Sequence, residues 1–467
     1  MSKDVYGSLY GRFDAEFFDK KYIANEKAVD LKQSVFLSEL AIITDGEHGS
    51  PDLDDESGII YLSGNNVKDN QIDFENVRYC SEKLHIKNAR SSVKKNTVLM
   101  SIVGTVGKAS VVHDDVIANT DRNVATIKLS ALINPHYLSI FLNCKYGTNQ
   151  TGRFSTGNVQ PLLNLSQIKQ LKICNFSISF QSEIEKLSHA QDAKLKQSKA
   201  SYAQAETLLL DTLGLADFSP STEKVNIKSF KDSFVATGRL DAEYYQPKYD
   251  DYVQRIRCYK NGFKSITDVL TIPIKNGTTP NSAAPGYKTL EHYFVRVEAF
   301  QQNLTIDETL FHSVDSEDYF KYKANLALKN DILVSMTGTI GAVVIYSPNK
   351  PALINQNVMR LRCNTNLINT ESLAVYLKTI GKVLLERVQT GNVQPYVNTS
   401  NFETLIVPLI DSQIQSQIAD FVQQSFTLKA QSEHLLNVAK RAVEIAIETD
   451  EQTAVAYINE QTKEVLV

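Results

Sequence analysis

The hexapeptide TGNVQP occurs twice, at Thr156 to Pro161 and at Thr390 to Pro395, and it marks a duplication that runs through most of the 467-residue chain. RFDAEFFDKKY from Arg12 faces RLDAEYYQPKY from Arg239 at an offset of 227. LMSIVGTVGKASVV from Leu99 faces LVSMTGTIGAVVIY from Leu333 at an offset of 234, as do RNV at Arg122 and QNV at Gln356, and FQSEIEKL at Phe180 and IQSQIADF at Ile414. The second copy therefore carries a net seven extra residues between its first two blocks. Solenoid repeats are only some 20 to 50 residues long, so this is a duplicated domain.

Each copy changes from strand-like to helix-like in the same order. Ser101 to Val112 and Ser335 to Tyr346 are rich in Val, Ile and Thr around G-T-x-G, which predicts two short strands flanking a glycine turn. Ile59 to Leu62 and Tyr293 to Val297 are further strand candidates. Pro135 to Leu142 and Thr370 to Leu377 follow Asn134 and Asn369, good helix caps. Each globule is thus expected to be mixed α+β. Two Gly- and Pro-free stretches follow, Ser182 to Leu213 and Gln413 to Glu448. Leu195, Tyr202 and Leu209 recur every seven residues in the first, and Phe421, Leu428, Leu435 and Ala442 in the second. Such heptads predict long helices of about 50 Å at 1.5 Å per residue, pairing as a spacer. Their small seam residues, among them Ser198 and Ala205, suggest room for a partner helix.

The expected organisation is a first globule over 1–180, a spacer helix over 181–215, a second globule over 216–412, a second spacer helix over 413–449 and a tail over 450–467. No apolar run approaches the roughly 20 residues that span a bilayer, and the N-terminus lacks a basic-then-apolar signal, so a cytoplasmic protein is expected. The five cysteines form no C-x-x-C pair and the eight histidines no H-E-x-x-H element, so neither disulfides nor a bound metal is expected.

In its order of motifs the chain resembles the specificity subunits of type I restriction-modification enzymes. The residues that carry the resemblance are R-x-D-A-E-[FY]-[FY] at Arg12 and Arg239, the two G-T-x-G turns, and the two TGNVQP blocks, each leading into a glutamine-containing helix start at Gln181 or Gln415. The resemblance implies two target-recognition domains separated by two long helices that form an antiparallel coiled coil. It implies double-stranded DNA as ligand, read as a bipartite asymmetric site. Its further partners would be two adenine-N6 methyltransferase (modification) subunits and the restriction/translocase subunits. S-adenosylmethionine, ATP and Mg would then belong to those partners, with no cofactor and no catalytic residue on this chain. A related type II specificity subunit and a duplicated protein-interaction scaffold are the alternatives.

The residues support the lack of catalysis separately. An adenine methyltransferase holds the flipped base with an N/D-P-P-Y/F motif; the nearest match here, NPHY at Asn134, lacks the second proline, and its counterpart at Asn369 reads NTES. A shared Asn followed by Pro or Thr reads as a helix cap. The net charge of −4 argues against a uniformly basic DNA binder. Local charge differs, since Arg78, Lys83, Lys87, Arg90, Lys94 and Lys95 stand within one stretch against Glu82 alone, and Lys321 and Lys323 occupy the matching stretch. Shared motifs cannot distinguish two half-sites, so Gly104, Gly107, Gly338, Gly341 and the TGN blocks, with Thr156, Asn158, Thr390 and Asn392, are assigned to fold or phosphate contact, and Thr105, Lys108 and Thr339 beside the glycine turns are further DNA-binding candidates. Discrimination is expected where the copies diverge, between Asp45 and Arg78 and between Lys275 and Phe311. Candidates there are Glu47, His48, Ser50, Asn65 and Asn66, then Thr278, Thr279, Asn281, Arg296 and Glu298. Arg122, Asn123, Gln356 and Asn357 join them, because Arg suits guanine and Asn or Gln suits adenine.

Overall fold

The computed structural model describes residues 14–130, 133–157, 160–285, 291–391, 395–463 and 465. It divides into two compact units, residues 1–196 with 429–467, and residues 197–428. The division falls inside both long helices, so each unit holds part of each. Among the described residues no helix is long and apolar enough to cross a membrane.

The first unit begins with α1 (Lys20–Asp30), capped by Asp19. Strand β1 (Ser34–Phe36) leads into β2 (Ala41–Asp45), and β3 (Ile60–Leu62) and β4 (Arg78–Tyr79) follow. The hairpin β5 (Val98–Ser101) and β6 (Ala109–Val111) precedes β7 (Ala118–Thr120) and β8 (Val124–Leu129). A four-stranded antiparallel sheet runs β2-β8-β5-β6. Its register aligns Ile43, Ile127, Val98 and Val111 in one buried row. The opposite face packs on a second cluster with Leu62, Leu99, Val112 and Val124. Coverage of both faces explains why β5 reads VLMS, apolar without alternation. A smaller sheet runs β4-β3-β7, with β3 and β7 parallel. Helices α2 (Pro135–Asn143) and α3 (Lys145–Phe154) follow, and β9 (Lys172–Cys174) returns to pair with β1.

The second unit repeats this plan. Helix α5 (Pro247–Arg257) is followed by β10 (Phe263–Ser265), β11 (Lys275–Asn276), β12 (His292–Val295), β13 (His312–Val314) and β14 (Leu326–Ala327). Then come β15 (Ile332–Ser335), β16 (Val343–Ile345), β17 (Ala352–Ile354), β18 (Val358–Leu361), α6 (Thr370–Tyr376), α7 (Lys382–Val388) and β19 (Ile406–Pro408). The sheets run β11-β18-β15-β16 and β13-β12-β17-β14, and β10 pairs with β19. The strand expected over Tyr293 to Val297 ends at Val295, because the chain turns into a 3₁₀ segment at Val297–Ala299.

The two Asn caps form as expected. The Asn134 side chain accepts from the amides of His136 and Tyr137, with Pro135 in the first turn, and Asn369 accepts from Ser372. The reading of NPHY as a cap is therefore correct. Each cap is anchored in turn by the glutamine that opens a long helix: α4 (Ile178–Thr212), 35 residues, or α8 (Ser412–Glu448), 37 residues. Gln181 accepts from the Asn134 amide at 2.8 Å and donates to Phe176 O at 2.8 Å. Gln415 accepts from the Asn369 amide at 2.8 Å and donates to Ile410 O at 2.8 Å.

Within each unit the parts of α4 and α8 lie antiparallel. In the first, Gln191 and Ser432 exchange hydrogen bonds of 3.2 and 2.8 Å. In the second, Ser198 donates to Ser425 O at 2.8 Å and Ser201 to Phe421 O at 2.8 Å. These seam serines allow close approach of the helices and bond across it. The room expected for a partner helix is thus taken up by the chain itself. Of the heptad residues, Tyr202, Leu209 and Leu435 are buried in the core of their own unit, whereas Leu195, Phe421 and Leu428 are half-buried. Residues expected to form a tail instead contain α9 (Glu451–Gln461), whose Ala454 and Ile458 join the core of the first unit.

One pair of glycines is fixed by close contact. A Cβ on Gly46 would lie 1.7 Å from Thr120 O, and one on Gly277 1.9 Å from Ile354 O. Gly46→Ala or Gly277→Ala should therefore destabilise its unit by about 3 kcal/mol or more, the upper range of overpacking costs. Thermal denaturation checks this, with a fall in Tm of several degrees expected in each variant.

Candidate nucleic-acid interface

The close approach at Gly46 lets the chain leaving β2 cross the end of β7. Glu47 N donates to Thr120 O and Arg122 N to Glu47 O, both at 3.1 Å. In the second unit, Gly277 N donates to Val358 O at 3.0 Å and Thr278 N to Ile354 O at 2.9 Å. The divergent segments are thus stitched to a shared backbone frame, which fixes where their side chains emerge. Beside them lies the glycine turn, closed by Ser101 N to Lys108 O at 2.9 Å and Gly107 N to Ser101 O at 2.8 Å. Gly104, Gly107, Gly338 and Gly341 have φ between 72° and 86°, left-handed backbone that favours glycine.

The TGNVQP block packs against that turn. Thr156 and Leu162 pair through amide–carbonyl bonds of 2.9 and 2.7 Å, as Thr390 and Tyr396 do at 2.8 Å each way, and Gly104 N donates to Pro161 O at 3.0 Å. The hydroxyls of Thr156 and Thr390 also point back to the Leu162 and Tyr396 carbonyls, at 3.4 and 3.3 Å. These threonines close a loop. Asn158 and Asn392 lie outside the described residues.

Around this frame the first unit forms two adjoining open clefts that share Arg78, Asp121 and Asn123. Asn65, Thr105 and Gln160 line one; His48, Ser50 and Arg122 line the other. Candidates up to 75 residues apart in sequence are therefore neighbours. Arg78 lies over the Tyr61 ring at 5.3 Å. Asp121 accepts from the amide and the side chain of Asn123 at 2.8 and 3.0 Å, while burial raises its pKa.

Other candidates have structural duties. Glu47, whose side chain is 10% exposed, accepts from Asn88 at 2.5 Å and from the Gly49 amide at 3.0 Å, and pairs with Lys87 at 3.3 Å. These bonds, led by Asn88, pull its pKa down to about 2. Arg90 faces Asp45 at 3.5 Å. Asn66 is buried, accepting from Ser63 and donating to Asp73 O and Asn76 O, so it has no free edge for a base. Lys108 faces Asp69 at 3.8 Å, a carboxylate it shares with Lys440 at 2.9 Å. Lys83 is exposed on the helix Glu82–Lys87. Lys94 and Lys95 are exposed too, but at the end of the β5–β6 hairpin opposite the glycine turn, where Asn96 N bonds Val112 O. The basic stretch is thus split between two places.

In the second unit Thr279 bonds Gln356, Thr337 bonds Asn357 at 3.3 Å, and Glu298 lies 2.6 Å from His312 and 3.8 Å from Arg296. Lys321, Lys323, Thr339 and Asn281 are exposed.

Strand pairing puts the two sites in register. Leu62 pairs with Thr120 as Val295 does with Ile354, and Tyr61 with Arg78 as Phe294 does with His312. It follows that Glu47 matches Thr278, His48 Thr279, Asn65 Glu298, Arg78 His312, Asp121 Asn355 and Arg122 Gln356. Asn123 and Asn357 keep their identity, as do Thr105 and Thr339. One backbone frame presents two different sets of hydrogen-bonding groups. Sequence reading missed the role of Gly46 and Gly277; the recurring Asp/Asn-Gly at 45–46 and 276–277 is the signal that would have revealed it.

Residues 260–440 match the family described as type I restriction modification DNA specificity domain. This stretch is similar to a type I specificity domain. The match covers β10 to β19 and much of α8. A 196-residue stretch, 41% of this chain, is 29% identical to the type I restriction enzyme EcoBI specificity subunit of Escherichia coli and spans 39% of that subunit's length. Among solved structures, the S subunit of the M. genitalium type I restriction-modification system aligns with a TM-score of 0.40 at 13% identity, covering 91% of this chain and 95% of that one. The HsdS subunit from Thermoanaerobacter tengcongensis aligns with a TM-score of 0.29 at 13% identity, covering 90% and 97%.

The two units differ in how their divergent loops are held, and Glu47 makes that testable. Because its folded pKa is depressed, the ionised form contributes stability that is complete above the ordinary carboxylate range and is lost as pH falls towards 2. An NMR titration of Glu47 should show this midpoint near 2, and Asn88→Ala should raise it towards 4.5.

Proposed function

We propose that this chain is the non-catalytic, sequence-reading subunit of a type I restriction-modification complex, and that each unit reads one part of a bipartite, asymmetric DNA site. The observation that carries the reading is the register of the two sites: one frame, with different donors and acceptors at six of eight matched positions. A protein that bound a single symmetric target twice would have no use for that divergence. A homogeneous phosphate grip would not need it either, since phosphate contacts carry no sequence information.

In the first unit, Arg78 and Arg122 offer paired donors suited to the O6 and N7 of guanine, and Asn65 the donor–acceptor pair suited to adenine. In the second, Arg296 and Gln356 take those parts. Lys83, Lys87, Lys321 and Lys323 are placed for phosphate contact, so binding is salt-dependent. Adenine methylation, ATP-driven movement and cleavage then reside in partner subunits, two modification subunits and the restriction subunits, which also hold S-adenosylmethionine, ATP and Mg. Such a chain works in the cytoplasm with the host DNA.

The test is methylome sequencing of cells expressing the modification subunits with variants of this chain. Arg122→Ala should relax one base position in one half of the motif, a loss of about 1–3 kcal/mol of discrimination, and Gln356→Ala one position in the other half. Simultaneous change in both halves from either variant, or DNA association insensitive to salt, would overturn the reading.

A further inference from the structure

Three histidines far apart in the sequence meet in the first unit. His113 follows β6, His136 stands in the first turn of α2, and His189 lies on α4. Their ring centroids are 5.0 Å (113–136), 5.4 Å (113–189) and 4.2 Å (136–189) apart. One ring nitrogen from each lies within 4.8 Å of the other two.

His113 supplies an independent sign that something is missing from this cluster. Its side chain is 9% exposed, yet neither ring nitrogen has a hydrogen-bond partner. A buried polar group without a partner costs roughly 1–3 kcal/mol and calls for an explanation. Two carboxylates border the rings. Glu185 Oε1 lies 4.0 Å from His136 Nε2 and 3.8 Å from His189 Nε2, and Asp192 Oδ2 lies 3.9 Å from His113 Nδ1.

We infer that His113, His136 and His189 bind a divalent cation of the zinc class, with Glu185 as the fourth ligand, and that the ion clasps the first globule to α4. Three imidazoles and a carboxylate suit such borderline-soft ions. Bonds of about 2.0–2.1 Å place tetrahedral ligand atoms roughly 3.3 Å apart, so the nitrogens must close by about 1.5 Å at most. His189, 51% exposed, has the freedom to swing inward. Asp192 is placed to accept a hydrogen bond from Nδ1–H of His113 and so leave Nε2 for the ion, while Ser188, 3.2 Å from His136 Nδ1, orients the second ring.

The second unit is a built-in contrast. Ser347, Glu371 and Gln423 occupy the matching positions, and Gln423 donates to Glu371 at 2.6 Å. One joint between globule and helix is thus closed by a direct hydrogen bond. The other is where the three histidines meet.

The full chain, stripped with a chelator, should bind one equivalent of Zn²⁺ in calorimetry, raise its Tm on binding, and give the visible absorption of tetrahedral nitrogen ligation with Co²⁺. His189→Gln places the second unit's own residue on an exposed helix face and leaves the fold intact; it should weaken Zn²⁺ binding by about 100-fold or more and abolish the Co²⁺ band. Glu185→Gln should weaken binding too. Absence of stoichiometric binding by the wild type, or equal binding by His189→Gln, would overturn the inference.

Discussion

The joint between each globule and its long helix rests on a buried amide. Gln181 and Gln415, at the starts of the two long helices, each tie the N-terminus of a short helix to the turn that feeds the long one through a pair of 2.8 Å bonds. Such an amide is costly to bury unless it is satisfied, and here both ends are, so the geometry of the joint is sharply defined. A neighbouring network extends it in the first unit: Asn70 accepts from Ser139 at 2.6 Å and donates to Gln191 at 3.0 Å, which in turn reaches Ser432. Polar groups specify the joint while the apolar core supplies the bulk of the stabilisation.

On that base, duplication separates frame from message. Residues that the copies share build turns and closures: the left-handed glycines, the reciprocally paired threonines, Gly46 and Gly277 under their carbonyls. Residues that differ stand on the frame and carry distinct charge and hydrogen-bonding character. Asp121 against Asn355 is an example, an ionisable acceptor at one site and a neutral amide at the other. A fold that confines variation in this way can change its target without renegotiating its core.

Much of this was legible in the sequence, for identifiable reasons. Heptad spacing and the lack of Gly and Pro revealed the long helices, because helical periodicity is local. The glycine turns and Asn caps were legible for the same reason. What escaped depends on contacts across long sequence separations. The basic stretch from Arg78 to Lys95 reads as one patch, but the hairpin carries its last two lysines to the far end from the clefts. Asn66 looked like a base reader until its environment was seen to consume every polar atom. The three histidines form no sequence motif, and only the fold gathers them. The packing of α9 on the first core was hidden because its apolar residues are few.

The division of the chain into units carries a consequence for synthesis. The second unit is continuous, residues 197–428, and all of its strands and both of its helix segments are available once that stretch has left the ribosome. The first unit is split: its core includes Leu435, Val438, Ala442, Ala454 and Ile458 from the end of the chain. Translation delivers the N-terminal globule first, yet its apolar helix-binding face stays uncovered until these last residues arrive. The usual vectorial order, in which the N-terminal domain is finished first, is reversed. A stretch that precedes the second unit is completed only by residues that follow it, and a nascent chain stalled before α9 lacks Ala454 and Ile458 of that first core.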